Sequence, residues 1–179
     1  MPFVKLQVVD TDGEPLPHDG RSIGEVRVQA PWLTQAYYKE DARSEELWRD
    51  GWLHTGDVGS LDEHGFLSIS DRMKDVIKTG GEWLSSLALE SYISQCPGVA
   101  EVAVIGVADD KWGERPAALV VPSDHKTPPT VEAIQGFMEQ FVAQGKLNRW
   151  GVPSLIRIVD EIPKTSVGKL DKKRIRTEM

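Results

Sequence analysis

The sequence holds a single cysteine, Cys96, in 179 residues. An internal disulfide is therefore excluded, no Cys/His cluster offers a metal site, and a reducing compartment is the simpler expectation. Long apolar runs are missing too: nothing approaches the roughly 18–20 residues that a membrane-spanning helix needs. The opening MPFVKLQVVD has neither the charged head nor the apolar centre of a secretory signal. These absences lead to the expectation of a cytoplasmic protein with no transmembrane segment. Positive charge is also in short supply, since 21 Lys and Arg stand against 28 Asp and Glu, for a formal net charge of −7. That balance argues against a nucleic-acid binder, which presents a basic face. The four histidines, His18, His54, His64 and His125, are scattered and mostly beside turn residues. They are expected at the surface, and no Ser-His-Asp set can be assembled from them. Cys96 precedes Pro97 with no partner nearby, so a thiol nucleophile is not expected either.

What is present suffices for a core: 40% of the residues are hydrophobic and 27% charged, enough for one ordinary domain or two small ones. From residue 1 to about 70 the chain alternates as short strands broken by turns, in VKLQVVD, GEVRVQA and FLSIS. One helix is expected to interrupt them over Asp41–Trp48, with Asp41 as its cap. After Ser70 the pattern becomes mixed. A short strand DVIK, a glycine pair, and a helix from about Ser86 to Gln95 precede two apolar runs, VAVIGV at 102–107 and AALVV at 117–121, which read as buried strands. Val131, Ile134, Met138, Phe141 and Val142 fall on one face of a further helix. LIRIV at 155–159 predicts another strand, and 171–176 a short last helix. No internal repeat or low-complexity stretch occurs. The change of texture places a boundary near Asp71–Lys74, with two pieces rather than one.

Four segments offer chemistry. Asp57, after Gly56, could accept both hydroxyls of a sugar diol, because an ionised carboxylate offers only acceptors; equally, Gly-Asp is ordinary turn chemistry. Arg72 and Lys74, in DRMKDVIK, could clamp a phosphate or ribose and mark a pivot, or could guard a strand edge with charge. Thr79-Gly80-Gly81-Glu82-Trp83 permits close approach of backbone to a ligand with Trp83 as a wall, or forms a bulge with Trp83 in the core. Pro163-Lys164-Thr165-Ser166-Val167-Gly168-Lys169 ends like a phosphate loop. It has Pro163 where a Walker motif needs glycine and Leu170 where it needs a hydroxyl, so it is not one. Six basic residues against one acidic between Lys164 and Arg176 read otherwise as a solvated surface or an anion patch.

Taken in order, these segments resemble the late core motifs of the adenylate-forming superfamily. YYKEDARSEELWRDGWLHTGDVG is similar to its segment ending in Thr-Gly-Asp, and DRMKDVIKTGGEWLSSLALESYI to its hinge and following loop. VAEVAVIGVADDKWGERPAALVV fits the stretch between, and PKTSVGKLDKKRIR matches the closing Gly-Lys segment. The resemblance covers essentially the whole chain. Gly-Gly-Glu-Trp-Leu-Ser-Ser resembles most the fatty-acid-activating branch. Two departures, Asp71 where many members have glycine and Lys74 in place of the commoner hinge aspartate, suit that branch and the luciferase-like one.

The resemblance implies an α+β protein: a β-rich subdomain at 1–72 from the end of a large N-terminal domain, then a mobile α+β lid at 73–179 with a central sheet flanked by helices. It implies the C-terminal portion of an AMP-forming ligase that converts a small-molecule carboxylic acid to an acyl-adenylate with ATP, then to a thioester with coenzyme A. By position Asp57 and Arg72 would bind nucleotide, Lys74 would be the hinge, and Gly80, Gly81, Glu82 and Trp83 would line the coenzyme A path. Lys169 would be the catalytic residue of the first step. The Mg2+ ligands, the phosphate loop and the acyl pocket would lie in the missing N-terminal domain, the main partner, so the fragment alone is expected to be inactive. A homo-oligomer is compatible. Two rivals stand beside this reading: an aryl- or other carboxylate-adenylating enzyme, and a non-enzymatic lid that binds nucleotide or a partner.

Overall fold

The computed structural model describes residues 3–179; Met1 and Pro2, which open the piece expected over 1–72, lie outside it. The fold is α+β, a β-rich region followed by an α+β region whose central sheet is flanked by helices. It divides into two compact units, Met1–Lys74 and Asp75–Met179.

In the first unit, alternation turns every second residue inward, so Val8 and Val26 face each other across β1 (Lys5–Val9) and β2 (Gly24–Gln29). These two meet Leu61, Leu16 and Leu67 in a small core. β2 pairs with β4 (Trp52–Leu61), whose other edge carries β3 (Trp48–Arg49) and β5 (Leu67–Arg72); all pairings are antiparallel. At Gly59 a Cβ would stand 2.4 Å from the Ser68 carbonyl oxygen, so the two backbones approach too closely there for any side chain. β5 runs two residues past the expected strand because β4 still opposes it: Val58 pairs with Asp71 and Asp57 with Arg72. Helix α1 (Asp41–Leu47) corrects an expectation. Its N-cap is Glu40, which makes no side-chain capping bond, and Asp41 stands in the first turn, where its charge meets the helix dipole.

In the second unit the apolar runs lack alternation because both faces of the sheet are covered. β8 (Val99–Asp109) and β9 (Gly113–Pro122) form a long antiparallel hairpin. Val102, Val104, Ala118 and Val120 pack against α2 (Ser86–Ile93) and α3 (Val131–Ala143), while Ala103, Ile105, Ala117 and Leu119 pack on the other side against Ile162 and Ile175. β9 carries on its second edge β10 (Leu155–Ile158), in parallel, and β6 (Ile77–Thr79), which continues to β7 (Glu82–Leu84). The stripe on α3 is the expected one: Ile134, Met138 and Phe141 are buried, with Val131 and Val142 packed at the margin. Burying each of the first two completely stabilises the unit by about 1.5–3 kcal/mol. Thr130 caps α3 and Ser85 caps α2, each hydroxyl accepting from the backbone N–H three residues on at 3.1 Å. α4 (Lys172–Glu178) is capped in the same way by the Asp171 carboxylate and buries Ile175. No helix among the described residues is long and apolar enough to cross a membrane.

Candidate active-site elements

The first element stands on β4 and β5. The Thr55 hydroxyl accepts from the Asp57 N–H at 3.1 Å and donates to the Val26 carbonyl at 2.9 Å, pinning the turn-like step at Gly56 to the centre of the sheet. The Gly56 carbonyl in turn accepts from the Met73 N–H at 2.8 Å. Asp57 is thereby held opposite Arg72, and Asp57 Oδ1 lies 2.9 Å from Arg72 Nε. The carboxylate is partly exposed and the guanidinium mostly so, and Oδ2 makes no hydrogen bond among the described residues. An exposed pair of this kind contributes about 0–1 kcal/mol, so a ligand with hydroxyl donors and an anionic group can compete for both ends. Lys74, exposed, is the last residue of this unit.

The second element is the turn between β6 and β7. Thr79 pairs with Glu82, leaving Gly80 and Gly81 as a two-residue loop with φ of 58° and 85°. Successive positive φ values are the hairpin connection whose twist matches the flanking strands, and Gly-Gly supplies it without strain. This is neither the bulge nor the buried-tryptophan arrangement; Trp83 is half-buried, with Lys78 Nζ 5.3 Å from its ring centroid. The tip is held from two sides. Gly80 N–H donates to the Trp112 carbonyl at 2.9 Å, and the Trp112 ring covers Gly80 so closely that a Cβ would meet it at 3.1 Å. The Glu82 carboxylate accepts from Asn148 Nδ2 at 2.7 Å and from Trp150 Nε1 at 3.3 Å. The backbone at Gly81 faces open space.

The third element is the loop before α4. Lys164 and Leu170 form an isolated antiparallel bridge, Thr165 N–H donates to the Lys169 carbonyl at 2.7 Å, and the Thr165 hydroxyl accepts from the Lys169 N–H at 3.2 Å. The backbone of Lys169 is therefore fixed while its side chain is exposed. Four of the neighbouring cations are neutralised: Lys164 by Glu101, Lys172 by Glu90, Arg174 by Glu178 and Arg176 by Asp75. Lys169 has no ion pair or hydrogen bond from its ammonium among the described residues. It and the glycine hairpin belong to one unit; among the described residues no hydrogen bond or ion pair joins them.

Trp112, Asn148 and Trp150, which steady the hairpin, carry no motif that marks them in the sequence. The one local sign is the turn at Asp109, whose carboxylate accepts from the Lys111 and Trp112 N–H groups at 3.0 and 2.9 Å and sets the tryptophan outward. His54 corrects the expectation of surface histidines. It is buried on β4, with Nδ1 at 2.9 Å from Glu25 Oε1 and 3.2 Å from Arg49 Nη2, because Glu25 on β2 offers an acceptor inside the sheet face. Burial pushes the Cys96 thiol up, away from the thiolate that reactivity requires. No group of three or more His, Cys, Asp or Glu side chains able to hold a metal ion occurs among the described residues.

Residues 88–169 match the AMP-binding enzyme C-terminal domain. Over 179 residues the chain is 41% identical to a long-chain-fatty-acid–CoA ligase of Thermus thermophilus, covering 99% of this chain and 32% of that protein. It is also 41% identical, over 178 residues, to a 3-methylmercaptopropionyl-CoA ligase of Ruegeria lacuscaerulensis, with the same coverage of 99% and 32%. The structure of ATP-bound MatB from Rhodopseudomonas palustris superposes with a TM-score of 0.80 at 31% identity, over 99% of this chain and 34% of that one. The chain thus spans about a third of the length of the curated relatives it matches.

Proposed function

We propose that this chain, which carries the AMP-binding enzyme C-terminal domain of the adenylate-forming ligase superfamily, supplies the nucleotide-positioning strand and the mobile lid of an ATP-dependent acyl-CoA synthetase. The observation that carries the reading is Lys169, an ammonium without an anionic partner among the described residues, on a backbone held in place and amid cations that mostly have one. In the first step a carboxylate oxygen bonds to the α-phosphorus of ATP as the bond to pyrophosphate breaks. The two reactants are both anions, so the barrier rises as they meet, and a lysine delivered to their oxygens neutralises that repulsion in the transition state. Such a contact supplies roughly 10²–10³ in rate. In the second step the coenzyme A sulfur bonds to the acyl carbon, AMP departs with the carbon–oxygen electron pair, and the thiol proton passes to solvent.

Asp57 and Arg72 take complementary parts in the nucleotide: the carboxylate accepts from the ribose hydroxyls and the guanidinium donates to ribose or phosphate. Gly81, open on one side, lets the pantetheine arm pass close to the backbone, with Glu82 and Trp83 beside it. Lys74 serves as the pivot that brings Lys169 in for the first step and the glycine hairpin in for the second. The magnesium that accompanies ATP takes its ligands from the nucleotide and from residues outside this chain. We take the acid to be a fatty acid, supported by Gly-Gly-Glu-Trp-Leu-Ser-Ser and by the likeness to the Thermus ligase. The equal likeness to the Ruegeria ligase favours a second reading, in which a different carboxylic acid enters the same two steps.

The test supplies ATP, magnesium, coenzyme A and a panel of carboxylic acids to a polypeptide that joins this chain to an upstream segment of the length its relatives carry, with the chain alone as control. AMP and thioester from the longer form, with fatty acids and not from the chain alone, are expected. A folded long form that binds AMP but turns over no acid would refute the enzymatic reading in favour of a binding module.

A further inference from the structure

We propose that Lys172, which contacts no reactant, is the positioning residue that sets where Lys169 is delivered; this rests on the role of Lys169 given above. The residues from Lys164 to Lys169 are all exposed, so packing does not orient the loop as a body. Its own hydrogen bonds fix its shape, and its orientation depends on what anchors its two ends. At the first end Lys164 Nζ meets Glu101 Oε1 at 3.0 Å, but both side chains are substantially exposed, and water and salt screen such a pair. At the second end Lys172 Nζ lies 2.7 Å from Glu90 Oε1 and donates to Ser86 Oγ at 2.7 Å, with only 10% and 12% of the lysine and glutamate side chains exposed. Glu90 Oε1 also accepts from the Val104 N–H of β8 at 2.9 Å. One carboxylate thus joins α2, the central sheet and the first residue of α4, three residues after Lys169.

α4 alone is too short to hold a direction, since isolated helices of seven residues do not persist in water. Its other fixed points are Ile175 in the core and Arg176, whose Nη2 donates to Asp75 Oδ1 at 3.0 Å; just before the helix Leu170 packs at the margin of the same core and the Asp171 N–H donates to the Pro163 carbonyl at 2.9 Å, closing the loop on itself. Ile175 stands at the middle of the helix and Arg176 beyond it; within the first turn Lys172 is the residue held by a largely buried pair, so it sets how that turn, and the loop before it, lies against α2 and β8. The same contact ties that loop to α2, which begins two residues after the glycine hairpin strand β7 ends.

The experiment uses the longer polypeptide of the previous subsection. It compares Lys172→Met, Lys172→Arg and Lys169→Ala by ATP–pyrophosphate exchange, by thioester formation from supplied acyl-adenylate, and by thermal melting. Misplacement of a reacting group by about an ångström costs roughly 10- to 100-fold. Lys172→Met is therefore expected to lower the kcat of exchange by that factor with the KM for ATP little changed and the thioester half unaffected. Lys172→Arg, which keeps charge and donors, is expected to restore most of the loss. Equal loss of both halves together with a lower melting point would reduce Lys172 to a structural residue and overturn the inference. Undiminished exchange in Lys172→Met while Lys169→Ala is crippled would overturn it as well and leave the role of Lys169 standing. Undiminished exchange in Lys169→Ala would instead remove the reading beneath it. Should Lys172→Met fail to fold, Ser86→Ala removes one neutral acceptor while the charge pair remains; a selective few-fold loss of exchange there supports the inference, and none overturns it.

Discussion

Replacing the two glycines of the β6–β7 hairpin separately by alanine divides backbone strain from contact. At Gly81, with φ of 85° and open space where a Cβ would go, alanine meets only the cost of the left-handed conformation, about 1–2 kcal/mol. Stiffening the unfolded chain returns roughly 0.4–1 kcal/mol, for a net loss near 1 kcal/mol. At Gly80 the same strain applies, and the new methyl also stands 3.1 Å from Trp112 Cε3, so the ring must retreat while its own carbonyl still accepts from residue 80. Crowding of this kind adds about 1–3 kcal/mol. With a urea slope of about 1–3 kcal/mol/M, Gly81→Ala should lower the midpoint for the second unit by roughly half a molar and Gly80→Ala by at least twice as much. Gly81→Asn, which tolerates positive φ, should cost less than Gly81→Ala. Circular dichroism through a urea titration measures all three. In the longer polypeptide, Gly81→Ala should also slow thioester formation from acyl-adenylate more than adenylation, because its methyl occupies the open face. Equal costs at the two glycines would refute the close contact with Trp112, and an unchanged thioester step would refute the passage of pantetheine beside Gly81.

Lys169→Ala should reduce adenylation by roughly 10²–10³ while thioester formation from supplied acyl-adenylate stays within a few-fold, a split that half-reaction assays resolve. Lys74→Pro should do the reverse by fixing φ at the pivot; retained thioester synthesis with a normal adenylation rate would argue against a hinge there. The Asp19 carboxyl is held down at about 2 by the Ser22 and Arg21 backbone N–H groups and the Ser22 hydroxyl. Its folded value lies below the unfolded one of about 3.9, so its contribution to stability is present above pH ~4 and fades as the pH falls through 2. The stability gap between the wild type and Asp19→Ala, followed by denaturation at several pH values, should therefore narrow between pH ~4 and ~2; a gap constant across that range would exclude the linkage.

Features settled within one window of chain are legible in the residues themselves. The stripe on α3 follows from spacing alone, because apolar residues three and four apart must share a helix face. The unbroken apolar runs of β8 and β9 require two covered faces, and Ile162 and Ile175 supply the second. Positive φ at Gly80 and Gly81 is open to glycine by its chemistry, although the choice between bulge and hairpin needs the pairing of Thr79 with Glu82. Sequence misplaces the cap of α1 because Glu40 and Asp41 are alike in charge, and only backbone angles distinguish the residue outside the helix from the first one inside it. It misplaces His54 because the exposure of that ring depends on Glu25, 29 residues earlier on another strand.

By itself the sequence determined the two-part α+β organisation, the positions of the motifs along it, and which of them carry acceptors, cations or freed backbone. These are properties of composition and of periodicities of two and 3.6 residues, which each segment carries independently of its neighbours. Tertiary structure alone decided that Arg72 stands against Asp57, that Trp112 covers Gly80, and that Glu82 is held from Asn148 and Trp150. It alone decided that Lys172 is neutralised by a glutamate 82 positions away while Lys169 has no ion pair among the described residues. Which charges meet depends on the order of strands and the direction of each side chain from them. Those are set by the packing of the whole unit, and no local pattern of residues contains them.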